Sequence, residues 1–446
     1  MFDFLTLIPV FGPTLAVIVP FLIVLGIVIF IHEYGHYIVG RWCGIHAEAF
    51  SMGFGPVLKS WVDKRGTRWQ IAALPLGGFV KFLGDANSAS AGVDHDAIAN
   101  VPEHLKGKSL HEAALWRRAA TVAAGPVANM VLSVVIFAGL TMATGVATNE
   151  PIVGQVQSFP GIVNELEPGD RILEVNGTPI ETRSDFDSFL AEESPQKTLY
   201  LIERDGRQLT VEGPFPWLPI VAGVNPVTPA AKAGLRTGDL ILSVDGVDVK
   251  SFPQLQTMIR AAEYSEVPII VQRGEELLTL KITPREMPYE KEDGTFGTRT
   301  MIGIGGSVAI APQIERVNPI RAVYYGGLSV VAIVDGWLRT IRELVTGGLA
   351  LENLQGPVGI AKASGDTASQ GLTDFVFLIG FISTAIGLMN LLPIPILDGG
   401  HLVIYAYQAV FRREPPEKAL QLAMGVGLCL LLFLMVFATF NDINRL

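Results

Sequence analysis

"GIVIFIHEYGHYIVG", residues 26–40, reads as part of an apolar helix interrupted by His32, Glu33 and His36. The stretch that contains it, Leu15 to Val39, is long enough to cross a hydrocarbon core, which takes about 20 apolar residues. Ionisable groups at that depth are costly and usually functional. Positions i and i+4 of a helix share a face about one turn apart, so the two imidazoles can hold one ion with Glu33 beside it. This is the H-E-x-x-H spacing in which histidines bind zinc and the glutamate takes a proton from the attacking water. A polar cluster at a helix end, satisfied by interfacial water, is the plainer alternative; apolar residues on both sides of the motif weigh against it.

The whole chain supports a membrane setting. Its 446 residues are 49% hydrophobic and 17% charged, with a mean hydropathy of +0.41, a balance that suits a mixed membrane and soluble architecture. Three further apolar stretches match the first in length: Ala119 to Ala143, Phe375 to Leu397 and Ala419 to Phe440. The leader before the first has no Lys or Arg and no small-residue cleavage site follows, so it reads as a retained span rather than a secretory signal. A net charge of -10 argues against nucleic acid. Cys43 and Cys429 sit at or in apolar segments, which excludes a disulfide framework.

Basic residues set the expected orientation. Arg41, Lys59, Lys64, Arg65, Arg68, Lys81, Lys106, Lys108, Arg117 and Arg118 crowd the first loop, and Arg412, Arg413 and Lys418 the last one. Both loops are expected in the cytoplasm and the long middle region on the opposite side. His46, His95, His104 and His111 lie in the first loop without partner spacing and read as solvated or locally bonded; the Ala-, Asp- and Gly-rich run from Asp85 to Lys108 reads as a flexible loop.

The middle region repeats itself. "LEPGDRILEVNGTPIETRSDF" from Leu166 aligns with "LRTGDLILSVDGVDVKSFPQL" from Leu235, pairing Asp170 with Asp239, Gly177 with Gly246 and Arg204 with Arg273 at one constant offset. Turn chemistry preserved at a constant offset predicts two copies of one small β-rich module. The pattern resembles PDZ domains of bacterial envelope proteases, which bind extended peptides by strand addition. "AAKAGLRTGDLILSVDG" carries the resemblance in the second copy, whereas "PGIVNELEPGD" in the first lacks the Ala-rich helix start. After the repeats, the apolar face of residues 321–349 is interrupted by Asp335, Arg339, Arg342 and Glu343. That segment is expected along the membrane surface or beneath the repeats rather than across the bilayer.

A catalytic zinc keeps three protein ligands and one open position. In "NLLPIPILDGGHLV" Asp398 is the carboxylate near the end of the third span, with His401 a competing ligand three residues on. Pro393 and Pro395 forbid a regular helix there, and Asn390 is the other intramembrane polar group. A protease acting in a bilayer must unwind its substrate and replace the lost hydrogen bonds. Asn390 can supply such bonds, as can the edge of a re-entrant hairpin formed by "FSMGFGPVLKSW" and "RWQIAALPLGGFVKF".

Taken in order, "HEYGH", "FSMGFGP", "LPLGGFVK", "AAGPVANM", two PDZ-like modules and "NLLPIPILDGGH" resemble the bacterial site-2 protease family, of the regulator of sigma-E protease type, over essentially the whole chain. The resemblance implies zinc ligands at His32, His36 and Asp398 for one Zn2+ per chain, a catalytic base at Glu33, and substrate contacts at Asn390 and the loop glycines Gly53, Gly55, Gly77 and Gly78. It further implies cleavage of transmembrane substrates in the bacterial inner membrane, among them a pre-trimmed anti-sigma factor and remnant signal peptides. The PDZ modules would then filter substrates by size.

The expected fold is a polytopic α-helical membrane protein with four transmembrane helices, a re-entrant β-hairpin region and two β-rich PDZ-like periplasmic domains. It divides into a first span (1–40), a cytoplasmic loop with re-entrant strands (41–115), a second span (116–144), PDZ-like domains (145–216 and 217–315), an amphipathic region (316–372), a third span with the Leu-Asp-Gly motif (373–398), a cytoplasmic loop (399–418) and a fourth span with its tail (419–446). Two other classes of function compete with proteolysis. A metal transporter would be expected to repeat its spans, but here the soluble part repeats. A membrane-tethered PDZ scaffold with a structural metal would need four protein ligands and no Glu33.

Overall fold

The computed structural model describes residues 11–85, 102–156, 162–191, 197–291 and 295–445. His95, most of the run read as a flexible loop, and Pro160 and Gly161 of the first module lie outside them. Along the chain run α1 (Gly12–Trp42), a hairpin of β1 (Ala47–Val62) and β2 (Arg68–Phe82), and α2 (Leu115–Thr144). A β-rich stretch follows, with the short helices α3 (Pro229–Ala233) and α4 (Phe252–Ala261). The chain closes with α5 (Pro319–Thr346), α6 (Pro357–Gln370), α7 (Leu372–Asn390), α8 (Asp398–Phe411) and α9 (Glu417–Arg445). Among the described residues, four helices are long and apolar enough to cross a membrane: α1, α2, α7 and residues Lys418–Asn444 of α9. The chain forms two compact units, Met1–Gly139 with Ala322–Ile341 and Glu352–Leu446, and Leu140–Arg321 with Arg342–Leu351.

In the first unit the apolar helices cannot rely on the hydrophobic effect to find each other, because lipid is as apolar as they are; close approach and hydrogen bonds must do it. Hence a Cβ on Gly326 of α5 would stand 2.6 Å from the Val134 carbonyl of α2. Ser383 of α7 and Ser133 of α2 reach the Asn129 carbonyl at 2.9 and 3.0 Å, all three residues being fully buried. Val24 and Val28 of α1 pack with Ala368, Phe375 and Ile379. The base of the hairpin is fixed to the end of α1 by Tyr37, Phe50, Val80 and Phe82.

Two segments differ from the sequence expectation. α5 has the amphipathic character its charges imply, yet residues Ala322–Ile341 belong to the first unit. They pack along two spans, Gly326 on α2 and the Trp337 ring 6.3 Å from that of Phe381 on α7. Asp335 and Arg339 neutralise each other across one turn at 3.0 Å. The second difference is α8, which occupies most of the segment expected to be a loop. Gly399 and Gly400 are the places where the Pro-broken segment folds back, its Leu391, Leu392 and Ile394 carbonyls filling the space a Cβ would need. His111 Nε2 of the first loop lies 3.2 Å from a carboxylate oxygen of Asp85, fully buried and twenty-six positions earlier in the chain.

The second unit holds the two modules. Their four-stranded sheets have the same order: Thr178–Pro179, Arg171–Val175, Thr198–Arg204, Arg207–Gly213 in the first, and Val247–Asp248, Leu240–Val244, Val267–Arg273, Glu276–Ile282 in the second. Each buries the aspartate of its Gly-Asp turn. Asp170 accepts from Arg204 Nε and Nη2 at 2.7 and 2.8 Å, and Asp239 from Arg273 Nε and Nη2 at 2.8 and 2.8 Å. Backbone N–H groups of Glu167 and Arg236 complete the same arrangement. Burial pushes the Asp170 carboxyl up, but the guanidinium and the Glu167 N–H outweigh it and hold that carboxyl below its usual range. The modules part at their helices. α3, capped by Thr228 at its start and by left-handed Gly234 at its end, lies in the second copy, while the described residues 162–168 of the first have no helix.

Candidate metal centre

His32 and His36 lie one turn apart on α1 with their Nε2 atoms 3.2 Å from each other. Asp398 opens α8, and its Oδ2 stands 3.1 Å from His32 Nε2 and 3.5 Å from His36 Nε2. A zinc ion bound tetrahedrally at about 2.0–2.1 Å holds neighbouring donors about 3.4 Å apart, so the three atoms already have the spacing of a zinc ligand set. Asp398 Oδ2 is buried without a well-formed hydrogen bond, as suits an atom that binds a cation. Among the described residues this is the one group of three His, Cys, Asp or Glu donors close enough to share an ion. His401, one turn further along α8, is outside it. An ion held by these three donors would keep a coordination position open, as a catalytic rather than a structural zinc site does.

Glu33 points toward the hairpin. The Val80 N–H of β2 is directed at its carboxylate, and a Cβ on Gly78 would come within 3.0 Å of its Cγ. Phe50, Ser51 and Met52 pair with residues 78–80 on one side and with residues 69–71 on the other, and the latter pair in turn with residues 59–61, so among the described residues the outer edges of this sheet belong to residues 57–62 and 78–82. Of the other loop glycines, Gly53 and Gly55 take positive φ of 90° and 83° in the irregular part of β1, and Gly77 makes room for the Phe54 ring. Asn390 is the last residue of α7, half-buried, and a non-helical link of seven residues connects it to Asp398.

The second span contributes more than its sequence announces. His36 Nδ1 donates to the Thr121 carbonyl at 2.9 Å, which leaves Nε2 as the lone-pair nitrogen facing the other donors. Gly125 lies where any side chain would collide with the His36 ring. Asn129, fully buried, reaches His32 Nδ1 at 3.3 Å. "AAGPVANM" reads as an apolar run in sequence; the i, i+4 spacing of Thr121, Gly125 and Asn129 along one face of α2 is the signal of these contacts that went unused.

A membrane helix bearing H-E-x-x-H and a converging carboxylate define a membrane-embedded zinc metallopeptidase. Residues 20–434 match peptidase family M50, and the chain belongs to that family. A relative from Agrobacterium fabrum, whose name assigns it provisionally to the zinc metalloproteases, is 34% identical over 96% of both chains. Metalloprotease MmpA of Caulobacter vibrioides is 30% identical over 97% of this chain and 96% of its own. The regulator of sigma-E protease RseP of Escherichia coli is 30% identical over 96% of this chain and 98% of its own. A PDZ domain of the SdrC-like protein from Listeria monocytogenes, 25% identical, covers 22% of this chain and 93% of its own at a TM-score of 0.17, too low to carry weight. The protein is thus an intramembrane zinc metalloprotease of the site-2 type.

Proposed function

We propose that His32, His36 and Asp398 hold the zinc and that Glu33 is the catalytic base. The convergence of the three donor atoms within 3.1–3.5 Å carries this reading. Bound zinc supplies Lewis acidity to the attacking water and the scissile carbonyl. Glu33 takes a proton from that water and returns it to the leaving nitrogen. Asn390 and the hairpin orient an unwound substrate segment, the outer edge of residues 78–82 offering backbone bonds beside Glu33 and Gly53, Gly55, Gly77 and Gly78 keeping its surface bare. Exposed Phe54, Leu58, Trp61 and Leu74 flank a charged tip with Lys64 and Arg65, a pattern that suits a hairpin dipping into the bilayer from the cytoplasmic side.

By the distribution of Lys and Arg, the chain is a multi-pass inner-membrane protein with its repeats in the periplasm. Its substrates are membrane-spanning segments left after an outer domain has been trimmed, such as that of an anti-sigma factor, and remnant signal peptides. The second module adds a groove between α4 and the following strands, lined by Phe252, Leu255, Ile259 and Met301 to Ile304, suited to an extended peptide. Replacing Glu33 by Gln tests the core of this reading: cleavage of a membrane-spanning reporter at the parental rate would end it. Deleting residues 150–310 tests the filter, since untrimmed substrates are then expected to be cut.

A further inference from the structure

We infer that Asn129 is a positioning residue for the metal centre, its side-chain carbonyl accepting the Nδ1 proton of His32. This rests on His32 being a zinc ligand. A histidine that gives its Nε2 lone pair to a metal carries its proton on Nδ1, and that N–H must donate. His32 is 8% exposed, so water does not meet the need, and the group at hydrogen-bond distance from Nδ1 is the Asn129 amide, at 3.3 Å. Its Oδ1 has no partner, although Asn129 is fully buried. An unpaired donor and an unpaired acceptor therefore share one buried contact. A half-turn of the amide exchanges Oδ1 and Nδ2 without changing its shape and joins the two.

The position of Asn129 gives the contact a second consequence. Its backbone carbonyl is held by Ser383 at 2.9 Å and by Ser133 at 3.0 Å, and Ser133 also reaches the Gly380 carbonyl at 2.9 Å. Ser383 and Gly380 belong to α7, whose end leads through the broken segment to Asp398. One residue of the second span thus touches the helix that carries two donors with its side chain, and the helix that leads to the third with its backbone.

The test compares Asn129→Leu, which keeps the volume but has no acceptor, with Asn129→Asp, which has acceptors only. The full chain is purified in detergent, and zinc affinity is read by competition with a chelator. Leucine is expected to weaken zinc binding about 10- to 100-fold, with one zinc per chain still bound at saturation, and aspartate to hold zinc within about threefold of the parent. Parental affinity in the leucine chain overturns the inference, as does equal weakening in both chains, which would assign the effect to the NH2 group or to packing. If the leucine chain does not fold, the aspartate chain decides alone, a loss of about tenfold or more overturning the inference. The underlying ligand reading fails separately: His36→Phe and Asp398→Ala would then keep one zinc per chain at saturation.

Discussion

Asp170 and Asp239 in the repeats and Asp398 in the membrane unit are carboxylates withdrawn from water, and they are treated differently. Each repeat aspartate meets an arginine fork and a backbone N–H supplied by its own module. Asp398 Oδ2 faces two imidazole nitrogens and lacks a well-formed hydrogen bond. A buried charge whose partner is built into the chain holds a fold together. One whose partner must come from outside marks a place where chemistry happens.

The largest expected effects separate the two treatments. Glu33→Gln is expected to cut the cleavage rate at least about 100-fold with zinc still bound, measured on a purified membrane-spanning substrate beside metal content. Asp398→Ala is expected to lose both zinc and activity, whereas Asp239→Ala is expected to keep both. Its cost appears in the second module, about 2–3 kcal/mol of local stability, read as faster amide exchange across Val267–Arg273 in the full chain. Asp170→Ala is expected to cost less, because Arg204 keeps Glu167 at 2.7 Å as a second carboxylate. Equal costs would show that this exposed contact contributes nothing.

Acid separates the modules from the surface more gently. The carboxyl of Asp170 has a folded value below its ordinary 3.8, so the stability from its pairing is complete above the ordinary value and fades as pH falls toward the folded one. Amide exchange in Thr198–Arg204 is expected to quicken below about pH 4, and Asp170→Asn to remove that dependence. The smallest effect belongs to Lys197, whose bond to Glu212 is exposed to solvent. Lys197→Ala is expected to change stability by less than about 0.5 kcal/mol.

Features that depend on local spacing were legible in the sequence. The pairing of His32 with His36 follows from helical period, the spans from run length, and the correspondence of Asp170 and Arg204 with Asp239 and Arg273 from a constant offset. Asp398 was legible because a carboxylate is conspicuous near the end of a span. Asn129 was not assigned a role, since a polar amide inside an apolar helix does not say which neighbour it meets; only the crossing of α1 and α2 does. The same limit hid the course of α5, whose charges exclude a span by composition but do not tell that Gly326 seats it against α2. α8 differs from the expected loop for a different reason: Gly399 and Gly400, poor helix formers by themselves, serve a close backbone approach that only the folded chain shows.

The donors also arrive at different times during synthesis. Chains emerge and fold from the N-terminal end, so His32, His36 and Glu33 enter the membrane long before Asp398 exists. A nascent chain holding only α1 and α2 has two imidazoles and no carboxylate to complete the set. With the proposed ligand set, tight metal capture is expected to await the packing of α7 and the start of α8, so that a chain truncated before residue 398 binds zinc weakly.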